Sequence, residues 1–253
     1  MNRKRSAVPL IDSFLIIIAI IICFLFKVND GSANSAQSLK SQALRYYKGI
    51  GTNQDYQKAL ALYLQAAGLG DADSQYISGA MLVKGMGAPE NRKEGLQLLL
   101  NAAQKGKTTP ESEQVIGEAY LLGNGLPKNY NEAVRWYKKA AENGNVAAMN
   151  ELGFMYFTGK GVERNPETGG KYFLQAARSG LRIAQYNVGI MYFSGDGSEG
   201  QDLIRSYGWL NLAASQGYSQ AIVARNYLKS ILSPRELKMA QELTGELATS
   251  QEK

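Results

Sequence analysis

Small and apolar residues recur along this chain at the spacing of α-helices rather than of strands. Leu152, Gly153 and Tyr156 are one example, in which the three residues share one face of a predicted helix. Glycine pairs separated by one residue follow these helical stretches, at Gly49–Gly51, Gly85–Gly87, Gly123–Gly125, Gly159–Gly161 and Gly195–Gly197. Since glycine adopts the left-handed conformation without a Cβ clash, each pair is expected to end one helix and turn the chain.

The helices form an internal repeat. Ala-Ala pairs begin at positions 66, 102, 140, 176 and 213, which gives steps of 36, 38, 36 and 37 residues. Each unit has a first helix (helix A), a Gly-x-Gly turn and a second helix (helix B). We therefore predict five repeats, at 36–71, 72–107, 110–145, 146–181 and 182–218, followed by capping helices and a tail at 219–253.

Particular residues set the helix ends and the spacing between helices. Asn165 followed by Pro166 is typical of a helix start, and Ser233-Pro234 predicts the start of the last helix. Small residues in helix A allow a neighbouring helix to approach closely, at Gly79, Gly117, Gly153 and Gly189. Gly169 and Gly170 lie inside a helix B, which they are expected to weaken by about 1 kcal/mol each.

The segments Gly153–Val162 and Glu132–Gly144 closely resemble the Sel1-like repeat family, whose repeats are relatives of the tetratricopeptide repeat with a longer turn. The resemblance covers residues 36–218. It implies an all-α fold, a right-handed α-α solenoid, and the role of an adaptor in protein assemblies.

The amino-acid composition excludes several kinds of catalytic and metal-binding site. The chain has no His and a single Cys, so neither a His-based catalytic relay nor a Cys-based zinc site can form. Isolated carboxylates such as Glu118 and Glu151 are interpreted as solvated helix faces. We therefore predict no catalytic residue, no metal site and no cofactor.

The N-terminal segment, residues 1–35, has the pattern of an export signal or a membrane anchor. Arg3, Lys4 and Arg5 precede an apolar run, and residues 8–28 are long enough to cross a bilayer. The anchor interpretation is favoured, with the N-terminus cytoplasmic and the repeats in the periplasm of a bacterial inner-membrane protein. Cleavage near Ala33, which would release a periplasmic or secreted protein, stays the alternative.

The charge adds little about partners. The net charge is +6, and +2 of it lies in residues 1–33. The remainder is spread without a basic stripe, which argues against nucleic acid as a partner.

One face of the A helices is predicted to line a concave, partner-binding groove, because its residues are spaced by four and then three positions. The proposed partner-binding residues are Tyr76, Phe154, Phe157, Tyr186, Ile190 and Phe193, and the same stripe includes Gln114, Glu118 and Asn150. The alternative for the aromatic residues is packing between adjacent repeats.

The predicted function is a non-enzymatic scaffold that is tethered in the cell envelope and binds another protein in this groove. Two alternatives remain: a secreted factor that contacts host cells, and a cell-wall protein that binds or hydrolyses peptidoglycan or β-lactams. The family members linked to cell-wall binding are typically Cys-rich, whereas residues 36–253 of this chain contain no Cys.

Overall fold

The computed structural model describes residues 34–197 and 200–251, which form twelve α-helices and no strand. The helices are α1 (34–48), α2 (Tyr56–Gly68), α3 (Ala72–Val83), α4 (Arg92–Gln104), α5 (Pro110–Leu122), α6 (Tyr130–Glu142), α7 (Val146–Thr158), α8 (Pro166–Arg178), α9 (Arg182–Ser194), α10 (Leu203–Ser215), α11 (Ser219–Ile231) and α12 (Pro234–Gln251). The odd-numbered helices are the predicted A helices, and the even-numbered helices from α2 to α10 are the predicted B helices. The predicted order of helix, glycine turn and helix is confirmed.

The helices group into two compact units, one ending at Lys107 and one beginning at Thr108. In unit 1, α3 packs between α2 and α4 around a core that includes Tyr63, Met81 and Leu82. In unit 2, each of the helices α5 to α10 packs against the helix that follows it. Each unit is therefore a stack of helix pairs with its own apolar core.

The predicted residues do end the helices of unit 2. The Asn165 side chain accepts a hydrogen bond from the backbone N–H of Thr168 at 2.9 Å, and Pro166 occupies the first position of α8. Gly159 closes α7 with φ +72°. These caps satisfy backbone groups that a helix end leaves without intrahelical partners.

In the four pairs from α3/α4 to α9/α10, helices A and B meet at the predicted small residue of helix A. A Cβ added at Gly153 would lie 2.5 Å from Cδ1 of Phe173, and one at Gly189 would lie 2.6 Å from Cγ of Leu210. In unit 1, a Cβ at Gly79 would lie 2.8 Å from the carbonyl oxygen of Gly95. The two helices can reach their observed separation only because helix A lacks a side chain at this point.

The glycine pair of α8 has a packing role that the helix-propensity argument overlooks. The helix runs unbroken through Gly169 and Gly170. A Cβ at Gly169 would lie 2.7 Å from the carbonyl oxygen of Gly153, and one at Gly170 would lie 2.6 Å from Sδ of Met191. The intrinsic cost of the two glycines is therefore offset by the close approach of α7 and α9.

The last helix, α12, packs against α10 and makes little contact with α11. The side chains of Leu243 and Leu247 lie over Gly208 in α10. The start of α12 is set by Ser233, whose backbone N–H and hydroxyl both donate hydrogen bonds to the Glu236 carboxylate. The predicted start of this helix is thus confirmed.

The predicted anchor, residues 8–28, lies outside the described residues. Among the residues that the structure does describe, no helix is both long enough and apolar enough to cross a membrane.

We predict that Gly153→Ala lowers the free energy of unfolding by about 1–3 kcal/mol, since the added methyl group overlaps the Phe173 ring. Urea denaturation of the full-length protein measures the change. Gly245→Ala in α12 is the control, because an added Cβ there meets nothing within 4 Å and helix propensity alone should keep or raise stability. Equal effects of the two substitutions would contradict the packing explanation.

Candidate partner-binding surface

The A helices of unit 2 bring a row of polar side chains together. The Asn187 side chain on α9 donates a hydrogen bond to Oδ1 of Asn150 on α7 at 2.9 Å. Asn150 in turn donates to Oε1 of Glu151 at 3.3 Å, and on α5 Gln114 donates to Oε2 of Glu118 at 3.4 Å. These five residues and Phe154 are called the A-helix surface below.

The Glu118 carboxylate lies close enough to raise the pKa of Glu151, and both charges act on Tyr137. Burial raises the pKa of Glu151, and the charge of Glu118 adds to the rise, while the hydrogen bond from Asn150 opposes it. Burial likewise raises the pKa of Tyr137 on α6, and the charges of Glu151 and Glu118 raise it further. Burial and the nearby charge of Glu118 therefore disfavour the ionised form of Glu151, which costs free energy near neutral pH.

An exposed aromatic ring lies on the same helix as this acidic group. Phe154 is 40% exposed, and the Lys160 ammonium lies 4.8 Å from the centre of its ring. A ring that is already held against a cation presents an apolar edge with little side-chain entropy left to lose.

The other residues proposed from the sequence are partly covered by neighbouring helices. Phe157 contacts Phe173 with ring centres 6.1 Å apart, and Tyr186 contacts Tyr218 at 5.2 Å. Phe193 lies with its ring centre 6.0 Å from that of Tyr227, and Ile190 packs in the same cluster. Tyr76 is half-buried and belongs to unit 1.

Of the proposed residues, Phe154 is thus the exposed one. Phe157 packs against Phe173 within its own repeat, and Phe193 packs against Tyr227 of α11, so contacts between helices cover part of both rings. Their part in binding stays a prediction.

A different carboxylate, Glu113 on α5, is fully buried, and its pKa is shifted in the opposite direction to that of Glu151. Burial alone would raise its pKa, but hydrogen bonds from Thr108, Asn143 and Lys139 outweigh that effect and lower the pKa. The Lys139 ammonium lies 3.0 Å from its carboxylate, and the Thr108 hydroxyl lies 2.6 Å away. Glu113 therefore joins α5 to α6 as a structural ion pair.

Sequence reasoning missed the partial burial of Glu151. The sequence interprets Glu118 and Glu151 as isolated carboxylates on solvated helix faces, whereas both are half-buried in the structure. The available signal was the repeat period: Gln114 and Asn150 are 36 residues apart, and Asn150 and Asn187 are 37 apart. Polar residues that recur at the repeat period on one helix face are brought together by stacking.

This arrangement can accept hydrogen bonds and positive charge from another molecule. A cationic or N–H-bearing side chain placed over Glu118 and Glu151 would relieve their mutual repulsion, while Phe154 would cover apolar surface beside it. Among the described residues, no group of three or more His, Cys, Asp or Glu is placed to hold a metal ion.

Comparison with known proteins supports the repeat interpretation. The family model described as Sel1 repeat matches residues 43–71, 72–107, 110–145, 146–181 and 182–218. Comparison with curated protein sequences gives no significant match.

Two solved structures are similar to this chain over most of its length. A protective antigen of uropathogenic Escherichia coli with an SLR fold is 32% identical with a TM-score of 0.66, and the match covers 83% of this chain and 46% of the antigen. A Sel1 repeat protein from Oxalobacter formigenes is 30% identical with a TM-score of 0.61, over 74% of this chain and 75% of that protein. This chain therefore spans less than half the length of the antigen.

We predict opposite stability effects for two neutral substitutions. The pKa of Glu151 is raised in the folded state, so its carboxyl group favours folding only at low pH, where it is protonated, and this contribution is lost as pH rises through the folded pKa. The variant Glu151→Gln should therefore be more stable than the parent at pH 7. A lowered pKa gives stability above about 4.5 that is lost as pH falls, so Glu113→Gln should cost about 1–3 kcal/mol at pH 7.

Urea denaturation at pH 7 and pH 4 tests both substitutions in the full-length protein. Both differences from the parent should shrink at pH 4. Loss of stability at pH 7 in Glu151→Gln would show that the Glu151 charge is satisfied within the fold.

Proposed function

Because the chain belongs to the Sel1 repeat family, we propose that it is a non-enzymatic scaffold whose A-helix surface binds another protein. Proteins of this family generally mediate protein–protein interactions and are typically not enzymes. The observation that carries the proposal is Glu151, which burial and the charge of Glu118 hold at an unfavourable electrostatic position, three residues before the exposed ring of Phe154.

This cost within the free protein is the physical argument for a partner. A carboxyl group whose pKa is raised by burial destabilises the fold when it is ionised near neutral pH. A Gln at that position would serve a purely structural role equally well. Residues that lower stability in this way are characteristic of binding sites, where the missing interaction comes from the ligand. The complementary partner presents a Lys or Arg next to an apolar side chain.

We also propose that the protein is exported and tethered through residues 8–28, with the repeats in the bacterial periplasm. The basic cluster Arg3–Arg5 followed by an apolar run supports this topology. A tether would keep the A-helix surface at the membrane and raise the effective concentration of a partner that is also held there.

We expect the double variant Glu118→Gln with Glu151→Gln to lose its partner without losing stability. The physical reason is that the substitutions remove the two acceptors of positive charge but leave the side-chain shapes unchanged. Affinity purification of the tagged full-length protein after chemical crosslinking in the producing cell, with quantitative mass spectrometry, measures partner recovery, which should fall at least tenfold.

The matched control is Glu142→Gln with Glu163→Gln, which makes the same charge change at exposed positions away from this surface. The control should recover the partner at the parent level. Unchanged recovery with the Glu118 and Glu151 variant would refute the proposed site.

We expect the full-length protein to be found in the membrane fraction and to be released by detergent but not by high salt. Deletion of residues 8–28 should leave the protein in the soluble fraction of the cell that makes it. Immunoblotting of cytoplasm, periplasm, membrane and medium makes the measurement, and full-length protein in the medium would favour the secreted alternative.

A further inference from the structure

The turns that follow α5 and α7 bring two lysines to one tyrosine beside the A-helix surface. A Cβ added at Gly161 would lie 2.5 Å from the carbonyl carbon and oxygen of Tyr130, so the turn after α7 lies against the start of α6. This contact brings Lys160, the residue before Gly161, close to Tyr130. The Lys128 ammonium lies 5.0 Å from the centre of the Tyr130 ring. Lys128, Tyr130 and Lys160 are called the basic end below.

The Tyr130 hydroxyl responds to both lysines. A hydrogen bond with Lys128 lowers the pKa of this hydroxyl, and the charges of Lys128 and Lys160 lower it further. A positive charge has this effect because it favours the ionised form of a phenol. The electrostatic potential at the basic end is therefore positive.

No carboxylate of the described residues neutralises the basic end. Glu132, two residues after Tyr130, pairs instead with Arg135 at 2.9 Å. None of the ion pairs among the described residues includes Lys128 or Lys160. Since the two ammonium groups repel each other, a carboxylate brought from another molecule would be attracted to both.

Phe154 connects the basic end to the acidic part of the A-helix surface. The Lys160 ammonium lies 4.8 Å from the centre of the Phe154 ring, so the ammonium and the exposed ring share one face. Glu151 precedes Phe154 by three residues, which places both on the same side of α7. The surface therefore presents a carboxylate, an aromatic ring and an ammonium group in this order.

The mixture of charges identifies the kind of molecule that fits. A polyanion such as nucleic acid or an anionic lipid surface would be attracted by Lys128 and Lys160 but repelled by Glu118 and Glu151. A polycation would meet the reverse conflict. A second copy of the chain is disfavoured by the net charge of +6 on each copy. A protein segment can carry both charges and an apolar side chain between them.

We propose that the A-helix surface and the basic end together bind a segment of another protein in which a basic and an acidic residue flank an apolar one. The Lys or Arg of this segment contacts Glu118 and Glu151, its apolar side chain contacts Phe154, and its Asp or Glu contacts Lys128 and Lys160. This assignment rests on the proposed function and adds the basic end to the same site.

Selection from a phage library of random short peptides against the purified full-length protein in detergent micelles tests the proposal. The enriched peptides should carry a basic and an acidic residue on opposite sides of an apolar residue. Lys128→Glu with Lys160→Glu should select a basic residue in place of the acidic one, because these substitutions invert the charge of the basic end. The best peptide selected by the parent should bind this variant about tenfold more weakly by fluorescence anisotropy.

Two control variants separate recognition from general attraction. Lys93→Glu with Lys229→Glu makes the same charge change at exposed lysines elsewhere and should bind the peptide as the parent does. Lys128→Arg with Lys160→Arg keeps both positive charges and should also bind it. Because Lys160 is half-buried, the urea midpoint of the double Glu variant is measured, and Lys128→Glu alone repeats the test at an exposed position.

The composition of the selected peptides shows which part of the site fails. Peptides with a basic but no acidic residue would refute the basic end and leave the role of Glu118 and Glu151 standing. Peptides without a basic residue, or no enrichment at all, would overturn the proposed function as well. The proposal is also overturned if the inverted variant selects the same peptides, or if the full-length protein forms a dimer that Lys160→Glu dissociates.

Discussion

Four helix pairs of this protein, from α3/α4 to α9/α10, depend on one close contact, in which a residue without a side chain in helix A meets the body of helix B. The ring of Phe173 and the side chain of Leu210 occupy the space that a Cβ at Gly153 or Gly189 would take. Close approach brings many atoms into dispersion contact and removes apolar surface from water, which offsets the entropic cost of glycine within a helix. The stripe that becomes the A-helix surface is thereby held at a fixed orientation on the other side of the same helix.

A half-buried carboxylate of the A-helix surface and a fully buried carboxylate of the core act in opposite ways. Glu113 is surrounded by donors and so joins two helices. Glu151 has one amide donor and a second carboxylate near it, so its charge is only partly compensated. The same residue type thus stabilises the fold at one position of unit 2 and lowers its stability at another, and the difference lies in how many donors the neighbouring helix supplies.

The helices, their caps and their glycine contacts could be predicted from sequence because they depend on residues close together in the chain. Asn165-Pro166 and Gly159 act within a single turn, and Gly153 meets Phe173 inside one repeat. The burial of Glu151 could not be predicted in this way, because the residues that surround it come from three helices. The position of α12 could not be predicted either. Its amphipathic pattern indicates that one face is covered, but the pattern does not show that Gly208 of α10 lies beneath that face.

The hydrogen bond between Asn187 and Asn150 has a consequence for how such a chain can change in evolution. The contacts of Gly153 with Phe173 and of Gly189 with Leu210 lie within single repeats, so a duplicated repeat would bring these contacts with it. The bond between the two asparagines crosses from one repeat to the next, as does the contact of Gly170 with Met191. A duplication inserted between α8 and α9 would keep the contacts within repeats but separate the two asparagines. The contacts within a repeat therefore tolerate a change in the number of repeats, whereas the contacts between repeats fix their order.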